Sequence, residues 1–350
     1  MTDIENHKHG GDIYRHKNVI DFSANCNPFG TPESVKEAAA EAMERISDYP
    51  DTDCEELRNA IADYEKLPSE YIICGNGAAD LIFSLVLSRK PEKALLMAPA
   101  FAEYEQALST VGCQIKRHYL MEERGFIPDD GIIDDITEDI DILFLCNPNN
   151  PTGVVISQEL LVNVLEKCRE KNVFFVLDEC FTDFLDEPEK HTLKHILKDY
   201  DNFFILKAFT KRYAMAGIRL GYGLCSNSTV LDKIKEVTQP WNVSVPAQAA
   251  GVAALKEESY VRKTMEYLKK EKIFLKEELA KAGFKIYSSE ANYVFFRGPE
   301  DLYDYCLDRG VMIRNCDNYE GLTKGYFRVA VKLRKNNLKL INILKNYKGK

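Results

Sequence analysis

The apolar positions of this chain alternate between short strand-like runs and amphipathic helical stretches. Residues 71–74, 93–97, 114–120, 140–146, 173–177, 202–206 and 220–225 are short, largely apolar runs of strand character. Between them the spacing predicts helices over 79–88, 104–111, 158–171 and 191–197. Two helices come earlier. One covers 32–43, with Thr31 as N-cap and Pro32 at its first position. The other covers 54–64, with Leu57, Ala60, Ile61 and Tyr64 on one face. Short apolar strands separated by helices imply a mostly parallel sheet covered on both faces. Ligands collect at the carboxyl ends of the strands of such sheets. The loops at 75–79, 147–153 and 178–181 and the segment around Lys211 occupy that position.

From residue 246 the pattern changes. A long charged helix over 257–282 turns Val261, Met265, Leu268, Leu275 and Leu279 inward and stops at Gly283. Strands over 291–297, 311–314 and 327–331, a helix over 301–309 and a terminal helix follow. The expected organisation is an N-terminal arm over 1–30, a large α/β domain over 31–245 and a smaller α+β domain over 246–350. No internal repeat or low-complexity linker interrupts it.

A length of 350 residues suits two lobes, and 45% hydrophobic with 29% charged residues is ordinary for a soluble globular chain. The net charge of −9 argues against a nucleic-acid surface or an anionic membrane as partner. Ten cysteines include no CxxC pair, and several sit inside apolar runs, as expected of buried thiols in a reducing compartment. The polar start shows no secretory h-region and no apolar run spans a bilayer, so a cytoplasmic location is expected. His7 with His9, and His191 with His195, lack further ligands at a supporting spacing, so no metal is expected.

Four segments carry candidate chemistry. Lys211 follows a strand and precedes Gly217, Arg219 and Gly221. A lysine at a strand end can lose its proton and attack a carbonyl. An arginine eight positions beyond it can grip a phosphate. Gly75-Asn76-Gly77-Ala78-Ala79-Asp80 leaves a strand and opens a helix, which suits a phosphate as well as an ordinary tight turn. Asp178 ends the run Val-Phe-Phe-Val-Leu, and a carboxylate there needs a cation, either a protonated ring nitrogen or a structural arginine. Asn147-Pro148-Asn149-Asn150-Pro151-Thr152-Gly153 by itself is a proline-locked turn.

Taken in order, GNG, NPxNPTG, DExF and TK(x)7R resemble the signature of the class I/II aminotransferases, enzymes of pyridoxal 5'-phosphate (PLP), from about residue 9 to 345. The resemblance implies the aspartate aminotransferase-like fold and assigns roles by position. Lys211 carries the cofactor. The Gly77 turn, the Ala78 and Ala79 amides, Thr210 and Arg219 hold its phosphate, and Asn150 contacts the ring hydroxyl oxygen. Asp178 meets the ring nitrogen, and Tyr104 stacks on the ring unless it is a core tyrosine. Tyr49 reaches the phosphate of a neighbouring subunit, which implies a homodimer. Two positions depart from the pattern. Phe181 stands where a tyrosine is usual, and Ala208 where serine or threonine is common.

His9-Gly10-Gly11, residues 21–30, Pro240-Trp241-Asn242-Val243, Phe181 and residues 313–322 and 327–331 resemble threonine-phosphate decarboxylases of cobalamin synthesis. That likeness implies Arg328 for a substrate carboxylate and Arg314 for a substrate phosphate, with His9, Asn25 and Arg334 beside them. It also implies decarboxylation of O-phospho-L-threonine to (R)-1-aminopropan-2-ol phosphate. Histidinol-phosphate aminotransferases share the cofactor set and are the alternative. A PLP-binding protein without catalysis needs a broken lysine site, which this chain does not have.

Overall fold

Alternate residues of the central strands enter two different cores, which is why these strands read as continuous apolar runs. Leu143, Leu145, Phe175 and Leu177 pack on one face, and Ile142, Phe144, Phe174 and Val176 on the other. Burying one such side chain contributes about 1.5–3 kcal/mol, so a polar residue at either parity is strongly disfavoured. A computed structural model describes residues 10–347. In chain order its strands are β1 (Ile20–Asp21), β2 (Ile72–Gly75), β3 (Lys93–Ala98), β4 (Gln114–Tyr119), β5 (Ile142–Cys146), β6 (Phe174–Asp178), β7 (Phe203–Ala208) and β8 (Gly221–Leu224). They continue with β9 (Lys285–Ile286), β10 (Tyr293–Arg297), β11 (Val311–Met312), β12 (Arg314–Asn315) and β13 (Tyr326–Ala330).

Seven strands form the main sheet in the order β2-β8-β7-β6-β5-β3-β4. All pairs are parallel except those of β8, which runs antiparallel to β2 and β7. The mostly parallel α/β sheet expected from the apolar runs is present. Its register brings Cys146, Asp178 and Leu206 level across β5, β6 and β7, so the loops after these strands open side by side.

The second sheet, β12-β13-β10-β9, is antiparallel and packs under the 24-residue helix Glu258–Lys281. That helix buries Thr264, Leu268, Glu271, Leu275 and Leu279, spaced three to four residues apart. It ends in a Schellman arrangement, with Phe284 N–H on Leu279 O at 3.2 Å, Gly283 N–H on Ala280 O at 3.0 Å and Gly283 at φ +91°.

Several local expectations change. The chain's first described strand belongs with its last third, because β1 pairs in parallel with β11 and Phe22 packs in the core of the second sheet. Phe181 and Phe184, which follow β6, lie in that same core. Pro32, not Thr31, is the cap of the helix Glu33–Glu41, and the Thr31 hydroxyl donates to Ala214 O at 2.8 Å instead. The helix expected over 191–197 is a 3-10 segment, Lys194–Asp199, tethered through Lys194 to the buried Glu65. Helices Ser228–Val237 and Val245–Ala254 join the predicted set, and the second, Ala-rich one has no polar stripe to reveal it. No helix among the described residues is long and apolar enough to cross a membrane.

Candidate active site

A cavity of about 260 Å³ opens where the carboxyl ends of β5, β6 and β7 meet the second sheet. Lys211, Asp178, Asn150, Arg219, Arg314 and Arg328 all line it. Lys211 sits in a one-turn helix, Phe209–Arg212, directly after β7. Its neighbours are fixed by buried ions. Arg212 pairs with Asp183 at 3.0 Å, and Lys207 with Glu65 at 3.2 Å and Asp183 at 3.3 Å. Burial opposes each of these charges, yet Arg212 and Lys207 hold Asp183 at about 2, and Asp183 with Glu65 hold Lys207 well above its ordinary value. Lys211, in contrast, makes no ion pair among the described residues and is half-buried at the cavity wall.

Asp178 ends β6 at 4% exposure. Tyr104 donates its hydroxyl to Oδ2 at 2.5 Å, and Cys180 N–H donates to Oδ1 at 2.9 Å. Burial still pushes the carboxyl above its ordinary value against both donors. A cation presented from the cavity therefore meets a carboxylate that lacks one. Tyr104 does not take the stacking position expected of it. It is fully buried, stacks on Phe144 at 5.0 Å and is not among the residues that line the cavity. Phe101, at the start of the same helix, lines the cavity, and the two rings meet edge-on at 5.5 Å. The i, i+3 aromatic pair was visible in Pro-Ala-Phe-Ala-Glu-Tyr, and its first member, nearest the strand end, is the one on the cavity.

The Gly75-Asn76-Gly77 turn and Arg219 lie against each other at the cavity. Asn76 N–H donates to Asp80 Oδ2 at 2.8 Å, and the helix Ala78–Arg89 opens at Ala78, with Ala78, Ala79 and Thr210 on the cavity. Gly77 has φ +87°, a conformation that favours glycine, and a Cβ there would also press on Arg219 Nη2 at 2.6 Å and displace the guanidinium. Arg219 itself takes a left-handed φ of +60°. Such a conformation costs on the order of 1–3 kcal/mol and persists where the surroundings over-determine it. Ala208 also lines the cavity beside Thr210.

Across the cavity from this turn lie two arginines whose relation the sequence did not reveal. Arg314 and Arg328 are direct cross-strand partners of β12 and β13, at 8% and 6% exposure. Arg314 donates to Asn318 Oδ1 at 2.9 Å. Arg328 donates to Asn150 Oδ1 and, at 2.9 Å, to Ser23 O. Neither forms a salt bridge among the described residues. Arg328 Nε and the nearby Asn25 Oδ1 are buried without a hydrogen-bond partner among the described residues. Tyr319, absent from the sequence-based set, also lines the cavity, 5.2 Å from the Arg314 guanidinium and with its hydroxyl 3.4 Å from Asn150 Oδ1.

Arg334, grouped with these arginines from sequence, is not on the cavity. It begins the terminal helix, pairs with Glu271 at 2.9 Å and covers the Phe274 ring at 3.8 Å. His9 lies outside the described residues. Tyr49 is 76% exposed, stacked on Trp241 at 4.3 Å, and away from this chain's own cavity.

The family described as "Aminotransferase class I and II" matches residues 17–342. Threonine-phosphate decarboxylase of Salmonella typhimurium is 36% identical over 97% of this chain and 96% of its own length. A histidinol-phosphate aminotransferase of Moorella thermoacetica is 33% identical over 94% of this chain and 85% of its own. The solved histidinol-phosphate aminotransferase of Clostridium acetobutylicum superposes with a TM-score of 0.86 at 35% identity, covering 93% of this chain and 97% of that one. With the lysine turn, the glycine turn with Arg219 and the strand-end aspartate converging on one cavity, these likenesses settle the family: the chain belongs to the class I and II aminotransferases, a family of PLP-dependent enzymes.

Proposed function

We propose that this enzyme acts on a phosphorylated amino acid, and that it decarboxylates O-phospho-L-threonine to (R)-1-aminopropan-2-ol phosphate. The observation that carries the substrate class is the facing pair Arg314 and Arg328, nearly buried on the cavity with no salt bridge among the described residues. Like charges directly opposite on adjacent strands repel each other. A substrate with two anionic ends removes that cost. Arg328 would grip the carboxylate, using the Nε that now lacks a partner, and Arg314 the phosphate.

The residues fit PLP. Arg219 with the amides of Ala78 and Ala79 would hold its phosphate, Asn150 the ring hydroxyl oxygen, Asp178 the ring nitrogen and Lys211 the reactive carbon. Phe101 replaces Tyr104 as the residue proposed to cover the ring face. When bound, the cofactor supplies an electron sink for the charge that develops at the substrate Cα. Lys211 Nζ holds the proton exchanged at Cα. The grip of Arg328 would orient the substrate at Cα, and thus favour loss of the carboxylate or of the proton. Phe181 contributes an apolar wall with no hydroxyl.

The likeness to the Salmonella decarboxylase supports carboxylate loss, and that to the Clostridium structure supports transamination of histidinol phosphate as the second reading. Incubation of the PLP-loaded protein with O-phospho-L-threonine, without a keto acid, separates them. Continuing CO2 release with an unchanged cofactor spectrum is the expected result. Absence of CO2, with conversion of the cofactor to its amine form by histidinol phosphate, would establish the aminotransferase.

The same reading includes a homodimer in which Tyr49, exposed here on Trp241, reaches the phosphate of the neighbour's cofactor. Sedimentation of the loaded protein is expected to give twice the 40.0 kDa chain mass. A monomer that turns over substrate would remove Tyr49 from the site.

A further inference from the structure

The one-turn helix that carries Lys211 leaves its last carbonyls without the i+4 bonds of a longer helix, and Lys211 O takes a long bond of 3.4 Å from Ala214 N–H. A segment nearly two hundred residues earlier in the chain satisfies them. Asn27 N–H donates to Lys211 O at 2.9 Å, Asn27 Nδ2 to Arg212 O at 2.8 Å, and the Thr31 hydroxyl to Ala214 O at 2.8 Å. Asn27 is 4% exposed and uses its whole side chain. Its Nδ2 also donates to Thr264 Oγ1 at 2.9 Å, and its Oδ1 accepts from Phe29 N–H at 3.1 Å.

The other end of this segment is held by the second sheet and the turns at its strand ends. Three consecutive carbonyls each take a different side chain: Ser23 O accepts from Arg328 at 2.9 Å, Ala24 O from Lys332 Nζ at 3.0 Å and Asn25 O from Asn292 Nδ2 at 2.7 Å. Residues 23–31 thus form a strap, bonded at one end to the arginine of the substrate wall and at the other to the lysine turn. On its remaining side the turn is anchored by Arg212 to Asp183.

We propose that Asn27 is the positioning residue of Lys211, and that the strap transmits the engagement of Arg328 by substrate to the lysine turn. The proposal rests on the roles given above to Lys211 and Arg328. Arg328 bonds Ser23 O with the same guanidinium that faces the cavity, so a carboxylate drawn onto it changes the load on that carbonyl. The shift passes along four residues to the backbone of Lys211.

The test uses Asn27→Ala and Thr264→Val in the PLP-loaded protein. Both changes are uncharged, so any effect on the lysine arises from geometry. Three quantities are read: borohydride fixation of the cofactor on Lys211, the pH midpoint of the bound cofactor's absorbance, and kcat against KM for CO2 release. Asn27→Ala is expected to shift the absorbance midpoint and lower kcat about 10- to 100-fold with KM unchanged, since displacement by about 1 Å costs on that order. Thr264→Val, which frees only one bond of the Asn27 amide, is expected to move both in the same direction by a smaller factor. Folded variants with the wild-type midpoint and kcat, even if less heat-stable, would overturn the proposal, because a purely structural strap changes only stability. If Asn27→Ala does not fold, Thr264→Val decides alone by the same criterion. Wild-type protein that borohydride does not fix at Lys211 would overturn the cofactor reading beneath it, a different and distinguishable failure.

Discussion

Lys211→Ala is expected to lower turnover at least 10²- to 10⁴-fold, the range typical of losing a positioned proton-transfer group, and to end covalent attachment of the cofactor. The substitution removes the half-buried amine on the cavity that is not committed to an ion pair among the described residues. Its flanking cations do not replace it, since Lys207 and Arg212 are bound to Glu65 and Asp183. The fold is expected to survive, because the one-turn helix is held through the backbone and through those flanking ions. Lys211→Arg tests the same point while keeping the charge, because a guanidinium remains protonated and does not attack a carbonyl. Borohydride reduction followed by peptide mass mapping reads the result. A reduced adduct on Lys211 in the wild type, absent from both variants, is expected. An adduct on another lysine, or variants that retain full turnover, would remove Lys211 from the mechanism.

Asp178→Asn is expected to lower kcat by about 10²- to 10³-fold, the size of losing one preorganised electrostatic partner, without loss of stability. The amide keeps the shape and keeps Tyr104 paired, but presents no charge to a cationic ring nitrogen. Asp178→Ala differs, because it strands the fully buried Tyr104 hydroxyl, at a cost of about 1–3 kcal/mol in stability. The cofactor-free protein adds a pH signature. Burial raises the Asp178 carboxyl, so the folded state holds that proton more tightly than the unfolded chain. Stability from this group is therefore complete below the ordinary carboxylate value and falls as pH rises from there through the raised folded value. Asp178→Asn should flatten that slope in thermal unfolding of the cofactor-free protein. A wild-type slope in the variant, or kcat within a few-fold of wild type, would assign Asp178 a merely structural role.

The central sheet was legible because its strands are buried on both faces and bounded by turn signals, so the apolar run and the strand coincide at 142–146 and 174–177. Lys211, Asp178, Asn150 and Arg219 could be singled out for a related reason: Lys211 and Asn150 follow β7 and β5, Asp178 ends β6 and Arg219 lies just before β8, where short-range order fixes position. Three-dimensional facts with no local correlate were not legible. Phe101 and Tyr104 lie three residues apart, and only the helix start at Ala102 decides which ring faces the cavity. Arg314, Arg328 and Arg334 look alike in sequence, yet strand register turns the first two toward one cavity while a helix start gives the third to Glu271. A two-residue strand such as β1 is too short for any periodicity to mark it.

The pairing of β1 with β11 has a consequence for how this enzyme comes into being on the ribosome. At translation speeds of 5–20 residues per second, Ile20 and Phe22 emerge roughly 15–60 s before Val311 and Met312. All seven strands of the main sheet, ending at Leu224, emerge within that interval. The lysine turn can therefore stand on a formed sheet while Asn27 and Ser23 have no Thr264 or Arg328 to bind. A nascent chain stalled before residue 311 should hold its central sheet but not its cavity, with Phe22 exposed to chaperones until about the last ninth of the protein is made.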